Sequence, residues 1–94
     1  METITTKVRD GEITIPTIGK IKSADSGIMI YKIISYAWGH YIKYIYPNSF
    51  YIDEFPLVFY SKDRFENTVA ITKEEWNKTI KEMAERLLED NLIK

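Results

Sequence analysis

One stretch constrains the fold more than any other: Gly27 to Ser61, GIMIYKIISYAWGHYIKYIYPNSFYIDEFPLVFYS. It holds all seven tyrosines, one of the two tryptophans and the only histidine. Between Asp25 and Asp53 its only full charges are Lys32 and Lys43. Aromatic and β-branched side chains suit a pleated, half-buried surface, so the stretch predicts strands. Ile28 to Trp38 reads as one long strand. Alternation puts Ile28, Ile30, Lys32, Ile34, Tyr36 and Trp38 on one face and Met29, Tyr31, Ile33, Ser35 and Ala37 on the other. Both sets are largely apolar, unlike a strand with one side in water. Trp38-Gly39-His40 offers a turn into a strand over Tyr41 to Tyr46, and Pro47-Asn48-Ser49 a second turn. Phe50 to Asp53 and Leu57 to Ser61 read as two shorter strands, bent apart at Glu54-Phe55-Pro56.

The flanks complete the pattern. Glu2 to Arg9 is rich in Thr, Ile and Val, Asp10-Gly11 is a hairpin signal, and Glu12 to Ile15 returns until Pro16, which has no N–H to extend a ladder. Thr17 to Lys22 is either a connection or a stub of strand. Ser23 to Gly27 is a turn by composition, Lys62 to Asn67 a polar loop, and Thr68 to Ile71 a short last strand. Thr72 opens a helix: Thr72-x-x-Glu75 is a capping box, and Glu74 and Glu75 suit the positive end of the helix dipole. Trp76, Ile80, Met83, Ala84, Leu87 and Leu88 form one apolar stripe, with opposite charges four residues apart on the other side and an end near Asn91. The expected fold is α+β. A curved antiparallel sheet of five or six strands carries one C-terminal amphipathic helix on one face, in a single domain (1–94) with 2–71 mainly β and 72–92 helical. The helix covers one face only. A second apolar face then asks for cover from sheet curling or from another chain, which predicts a homodimer or a protein partner.

Composition removes whole classes of function. Thirteen Lys and Arg against fourteen Asp and Glu give a net charge of −1, without the basic excess typical of nucleic-acid or membrane-surface proteins. The absence of cysteine excludes disulfides, zinc–thiolate sites, iron–sulfur clusters and thiol catalysis. The charged first ten residues are not a signal peptide, and Gly27 to Pro47 is too interrupted for a membrane-spanning helix, so a soluble cytoplasmic protein is expected. Richness in Ile and Lys, with neither Gln nor Cys, is a thermophile tendency and fits a low-GC host or its viruses and plasmids.

No catalytic constellation stands out. His40 has no Cys or Ser signature beside it and reads as a turn histidine rather than a general base. Asp53-Glu54 and Asp63 read as solvated turn and edge residues rather than a cation site. The four glycines are dispersed, with no phosphate-cradling spacing. No cofactor, no metal and no enzyme is expected. The aromatics are the candidates: Tyr36, Trp38, Tyr41, Tyr44 and Tyr46, flanked by Lys43, form a partner-binding set. Tyr and Trp are favoured at protein interfaces, so the expected function is a small accessory or host-modulating protein acting through protein contacts of an aromatic sheet face. The alternative is a nucleic-acid-binding regulator, in which the same rings stack bases while lysines and His40 meet phosphates.

One version of that alternative rests on a resemblance. KVRDGEITIP, Lys7 to Pro16, resembles the opening hairpin of the AbrB/MazE-type swapped-hairpin antitoxins and transition-state regulators. Asp25, followed by strands ending at Pro47, echoes their second hairpin. The resemblance covers less than half the chain. It implies an intertwined dimer that binds DNA through basic residues, here Lys7 and Arg9, with a C-terminal tail that grips a toxin. Two departures go with it: TIGKIKSA stands where that family has a short charged helix, and Glu12 where it often has a basic residue.

Overall fold

The computed structural model describes residues 2–23, 27–47 and 51–93, without the side chains of 22–23 and 87–93. Its elements are β1 (Thr3–Val8), β2 (Gly11–Pro16), β3 (Ile18–Ser23), β4 (Gly27–Tyr36), β5 (Gly39–Tyr46), β6 (Tyr51–Pro56), β7 (Val69–Ala70) and α1 (Lys73–Ile93). Short 3₁₀ turns at Leu57–Phe59 and Lys62–Phe65 join β6 to β7. The fold is α+β, as the pattern predicts. Its strands divide into two sheets: β1–β2 alone, and an antiparallel five-stranded sheet in the order β6-β5-β4-β3-β7.

Both tight hairpins turn one residue earlier than expected. Val8 pairs with Gly11 and Tyr36 with Gly39, so the loops are Arg9–Asp10 and Ala37–Trp38. Gly39 opens β5 at φ 140°, a backbone conformation that a Cβ disfavours. Ala37-Trp38 therefore caps the long β4–β5 hairpin instead of ending the strand.

Both apolar faces of β4 have cover from within the chain, one from the hairpin layer and the other in part from the helix. Met29, Tyr31, Ile21 and Ile42 lie beneath the β1–β2 hairpin and the 3₁₀ segment, packed with Val8, Ile15, Leu57 and Phe65. Tyr31 Oη donates to the Pro16 carbonyl at 2.7 Å, and the Arg9 amide donates to the Tyr60 carbonyl at 2.8 Å, which ties this layer down. On the opposite face Ile30 and Ile45 pack with Trp76 and Met83 of α1, with Ile18, Ile71 and Ile80 alongside. The order is hairpin, sheet, helix. This corrects the premise from which a dimer was expected: the second face has its own cover, supplied by residues 3–16 and 57–65.

Several local expectations change for identifiable reasons. Leu57 to Ser61 is no strand; Leu57 is fully buried and the Tyr60 amide bonds back to its carbonyl, which closes a 3₁₀ turn. Glu54-Phe55-Pro56 is no bend but the end of β6, paired with Lys43, Ile42 and Tyr41. Lys62 to Asn67 is more than a polar loop, since it drives Phe65 into the core. TIGKIK resolves as strand β3, where the antitoxin family has a helix. The expected turns around 24–26 and 48–49, and Phe50, lie outside the described residues. In α1, Trp76 and Met83 are buried, Ile80 is half-buried and Ala84 is exposed, while the Leu87 and Leu88 side chains are outside the description.

Candidate functional site: an aromatic patch at the β4–β5 tip

Register decides which of the candidate residues share a surface. In an antiparallel sheet, directly paired residues project from the same face. Ile34 pairs with Tyr41, Lys32 with Lys43, and Lys43 with Glu54, so these residues and Tyr36 lie on the face that carries α1. Among the described residues, the apolar packing of the helix on this face involves Ile30, Ile45 and Ile18. Beyond it, towards the hairpin tip, this face has no second layer among the described residues.

Tyr36, Trp38 and Tyr41 assemble there. Trp38, in the tip loop, is 74% exposed and stacks on Tyr36 with 5.5 Å between ring centroids and planes 14° apart. Tyr41 stands edge-on to Tyr36 at 4.9 Å and to Trp38 at 6.5 Å. The edge-on pairs bring positive ring edges to negative ring faces, the favoured arrangement for aromatic contacts. Two hydrogen bonds fix the set: Trp38 Nε1 donates to Tyr41 Oη at 2.9 Å, and Tyr36 Oη donates to Glu54 Oε2 at 2.8 Å. The bond to the Glu54 carboxylate, which favours the protonated phenol, raises the Tyr36 pKa from its ordinary value. Lys32 and Lys43, both half-buried and directly opposite, border the patch, with Glu54 beside Lys43. Opposed like charges repel, so this row favours a neighbouring negative charge.

Tyr44 and Tyr46 do not belong to this surface. They project from the other face, where they are half-buried against the core beneath the hairpin. Tyr46 Oη accepts from Arg64 Nη2 at 2.9 Å, and the Tyr44, Tyr46 and Tyr51 rings contact one another. A bond donated to Asp53 pushes the Tyr51 pKa up to about 12, and burial does the same for Tyr60. Of the six candidates the structure brings together Tyr36, Trp38, Tyr41 and Lys43. Glu54 joins them, although the sequence reads it only as a solvated turn or edge carboxylate; the expected bend at 54–56 hid the register that places it there. Phe55, Val58 and Phe59 are further exposed apolar side chains outside the predicted set.

His40 Nδ1 lies 2.9 Å from Thr6 Oγ1, a buried hydroxyl, and joins the hairpin layer to the tip. An open groove of about 400 Å³ runs beside it, with Trp38, Lys7 and Glu12 in its walls. Among the described residues no three His, Cys, Asp or Glu side chains are grouped to hold a metal ion, and no helix is long and apolar enough to cross a membrane. Comparison with family models, with curated proteins and with solved structures finds no match to this chain.

Proposed function

We propose that the chain is a small non-enzymatic binding protein that docks a protein partner on the tip patch of Tyr36, Trp38 and Tyr41, with Lys43 at its border. One observation carries this reading: a tryptophan left 74% exposed is nonetheless held in one orientation, by Tyr36 through stacking and by Tyr41 through a hydrogen bond. Exposed aromatic surface that is already ordered loses little side-chain entropy on binding, which is the property of interface anchors. A cytoplasmic accessory or host-modulating role for a mobile element fits the composition described above. The first partner to test is a second copy of the chain, joined tip to tip.

Nucleic acid is the second reading, and the opposed Lys32–Lys43 pair next to stackable rings favours it. Glu54 within the patch and the net charge of −1 favour the first. Solution mass by light scattering separates them, measured at low and high salt, with and without a mixed DNA and RNA oligonucleotide pool. A salt-insensitive dimer that ignores the pool and falls to monomer on Trp38→Ala supports self-docking. A monomer that ignores the pool directs the same patch to a different protein. A mass gain with the pool that vanishes at high salt overturns the protein reading, because phosphate contacts are the salt-dependent ones.

A further inference from the structure

Strand β6 is an edge of the five-stranded sheet, and its register fixes which backbone groups it presents to solvent. The two-residue loop Ala37–Trp38 is closed by a hydrogen-bonded Tyr36–Gly39 pair, and alternation gives Ile34–Tyr41, Lys32–Lys43 and Ile30–Ile45 the same character. Ile42, Tyr44 and Tyr46 therefore turn their backbone groups to β6, where they meet Phe55, Asp53 and Tyr51. Ile52, Glu54 and Pro56 are left pointing outward. Pro56 has no N–H to offer. The Glu54 N–H donates at 2.7 Å to Asp53 Oδ1, the carboxylate of its own neighbour. The other carboxylate oxygen, Oδ2, accepts from Tyr51 Oη at 2.9 Å, which holds the group in place. Ile52 is left as the one outward position with an N–H that no side chain caps among the described residues.

From this geometry we infer that Asp53 closes the β6 edge, and that without it the edge takes β6 of a second copy as an added strand. The need for closure is visible in the side chains: Tyr51, Ile52 and Phe55 are all exposed, and an apolar edge strand is a template for pairing. The symmetric antiparallel register centred on position 53, the one that joins the outward groups of both Ile52 and Glu54 without using Pro56, sets Ile52 of one copy against Glu54 of the other and places the two Asp53 residues opposite each other. That register needs the Glu54 N–H that Asp53 occupies, and it confronts two carboxylates. Asp53 opposes it twice. The inference does not rest on the tip patch, whose residues lie on the sheet face rather than in the outward backbone of β6.

Two variants and one measurement without mutation test it. Asp53→Ala frees the Glu54 N–H and removes the facing charges, so its solution mass doubles relative to the unaltered chain. Asp53→Asn keeps an oxygen to cap the Glu54 N–H, so its mass stays that of the unaltered chain. In the unaltered chain, the Glu54 amide exchanges hydrogen more slowly than the Ile52 amide although both point outward. An unchanged mass for Asp53→Ala overturns the inference. Doubling of Asp53→Asn overturns the cap in favour of simple charge repulsion, and equal exchange at Glu54 and Ile52 removes the cap directly, whether or not the variants fold.

Discussion

Gly19 has no room for a methyl group. A Cβ there would sit 2.8 Å from Tyr31 Cε2 and Oη and 2.9 Å from the Val69 carbonyl, and the last of these is backbone that cannot swing aside. Gly19→Ala is therefore expected to cost about 1–3 kcal/mol by overpacking, read as a lower denaturation midpoint. The two tryptophans make a sharper residue-scale contrast. Trp76 is 3% exposed beneath the sheet and Trp38 is 74% exposed at the tip. Trp76→Ala should cost about 3–5 kcal/mol, and Trp38→Ala within about 0.5 kcal/mol, both measured by urea unfolding. Equal losses would mean that Trp38 is structural and that the patch is core. Sequence alone ranks these two residues only in part: helical spacing places Trp76 inward, but nothing local says that Trp38 falls in a two-residue loop. The same gap explains Tyr44 and Tyr46. Alternation along β5 already separates Tyr44 and Tyr46 from Tyr41 and Lys43, but which set joins Tyr36 and which faces the core is known only with the register to β4, and a density of tyrosines carries no register.

At the scale of elements, legibility followed locality. The β1–β2 hairpin and α1 rest on contacts within a few residues, such as a turn dipeptide or a cap, and both were readable. Thr72 acts as that cap: its Oγ1 accepts from the Glu75 amide at 3.1 Å, and its carbonyl accepts the first helical bond from Trp76. Thr72→Ala is expected to lower stability by about 1 kcal/mol with the helical circular dichroism of the folded state unchanged. What was not readable depends on partners far along the chain. Leu57 and Phe65 look like strand and loop residues until β1 and β2 lie over them, because a 3₁₀ turn that plugs a core has no periodic signature. The separation of β1–β2 from the main sheet was hidden for the same reason. Both arrangements use identical alternation, and only the cover needed by Met29 and Tyr31 selects between them.

The molecule as a whole is a sheet closed on one side by its hairpin and partly on the other by its helix, and both its pH response and its binding surface follow from that. Burial raises the pKa of Tyr31 and Tyr60, the latter to about 12, while an unfolded tyrosine ionises near about 10. Between those values the unfolded state loses protons that the folded state keeps, so stability falls as pH rises from about 10 towards 12 and is fully present below that window. Thermal unfolding followed across alkaline pH is expected to give a midpoint that drops in this window, with tyrosine absorbance titrating late until the fold is lost. Among the described residues the apolar packing of the helix does not include Tyr36, Trp38 or Tyr41, and this patch is the surface proposed for a partner. The most direct test places a photo-crosslinking amino acid at position 38 and, as a control, at position 81 on the exposed side of α1, in cells that produce the protein. A discrete protein adduct from position 38, resistant to nuclease and absent from position 81, is the result this account predicts. No adduct at 38, the same adducts at both positions, or adducts that nuclease removes would contradict it.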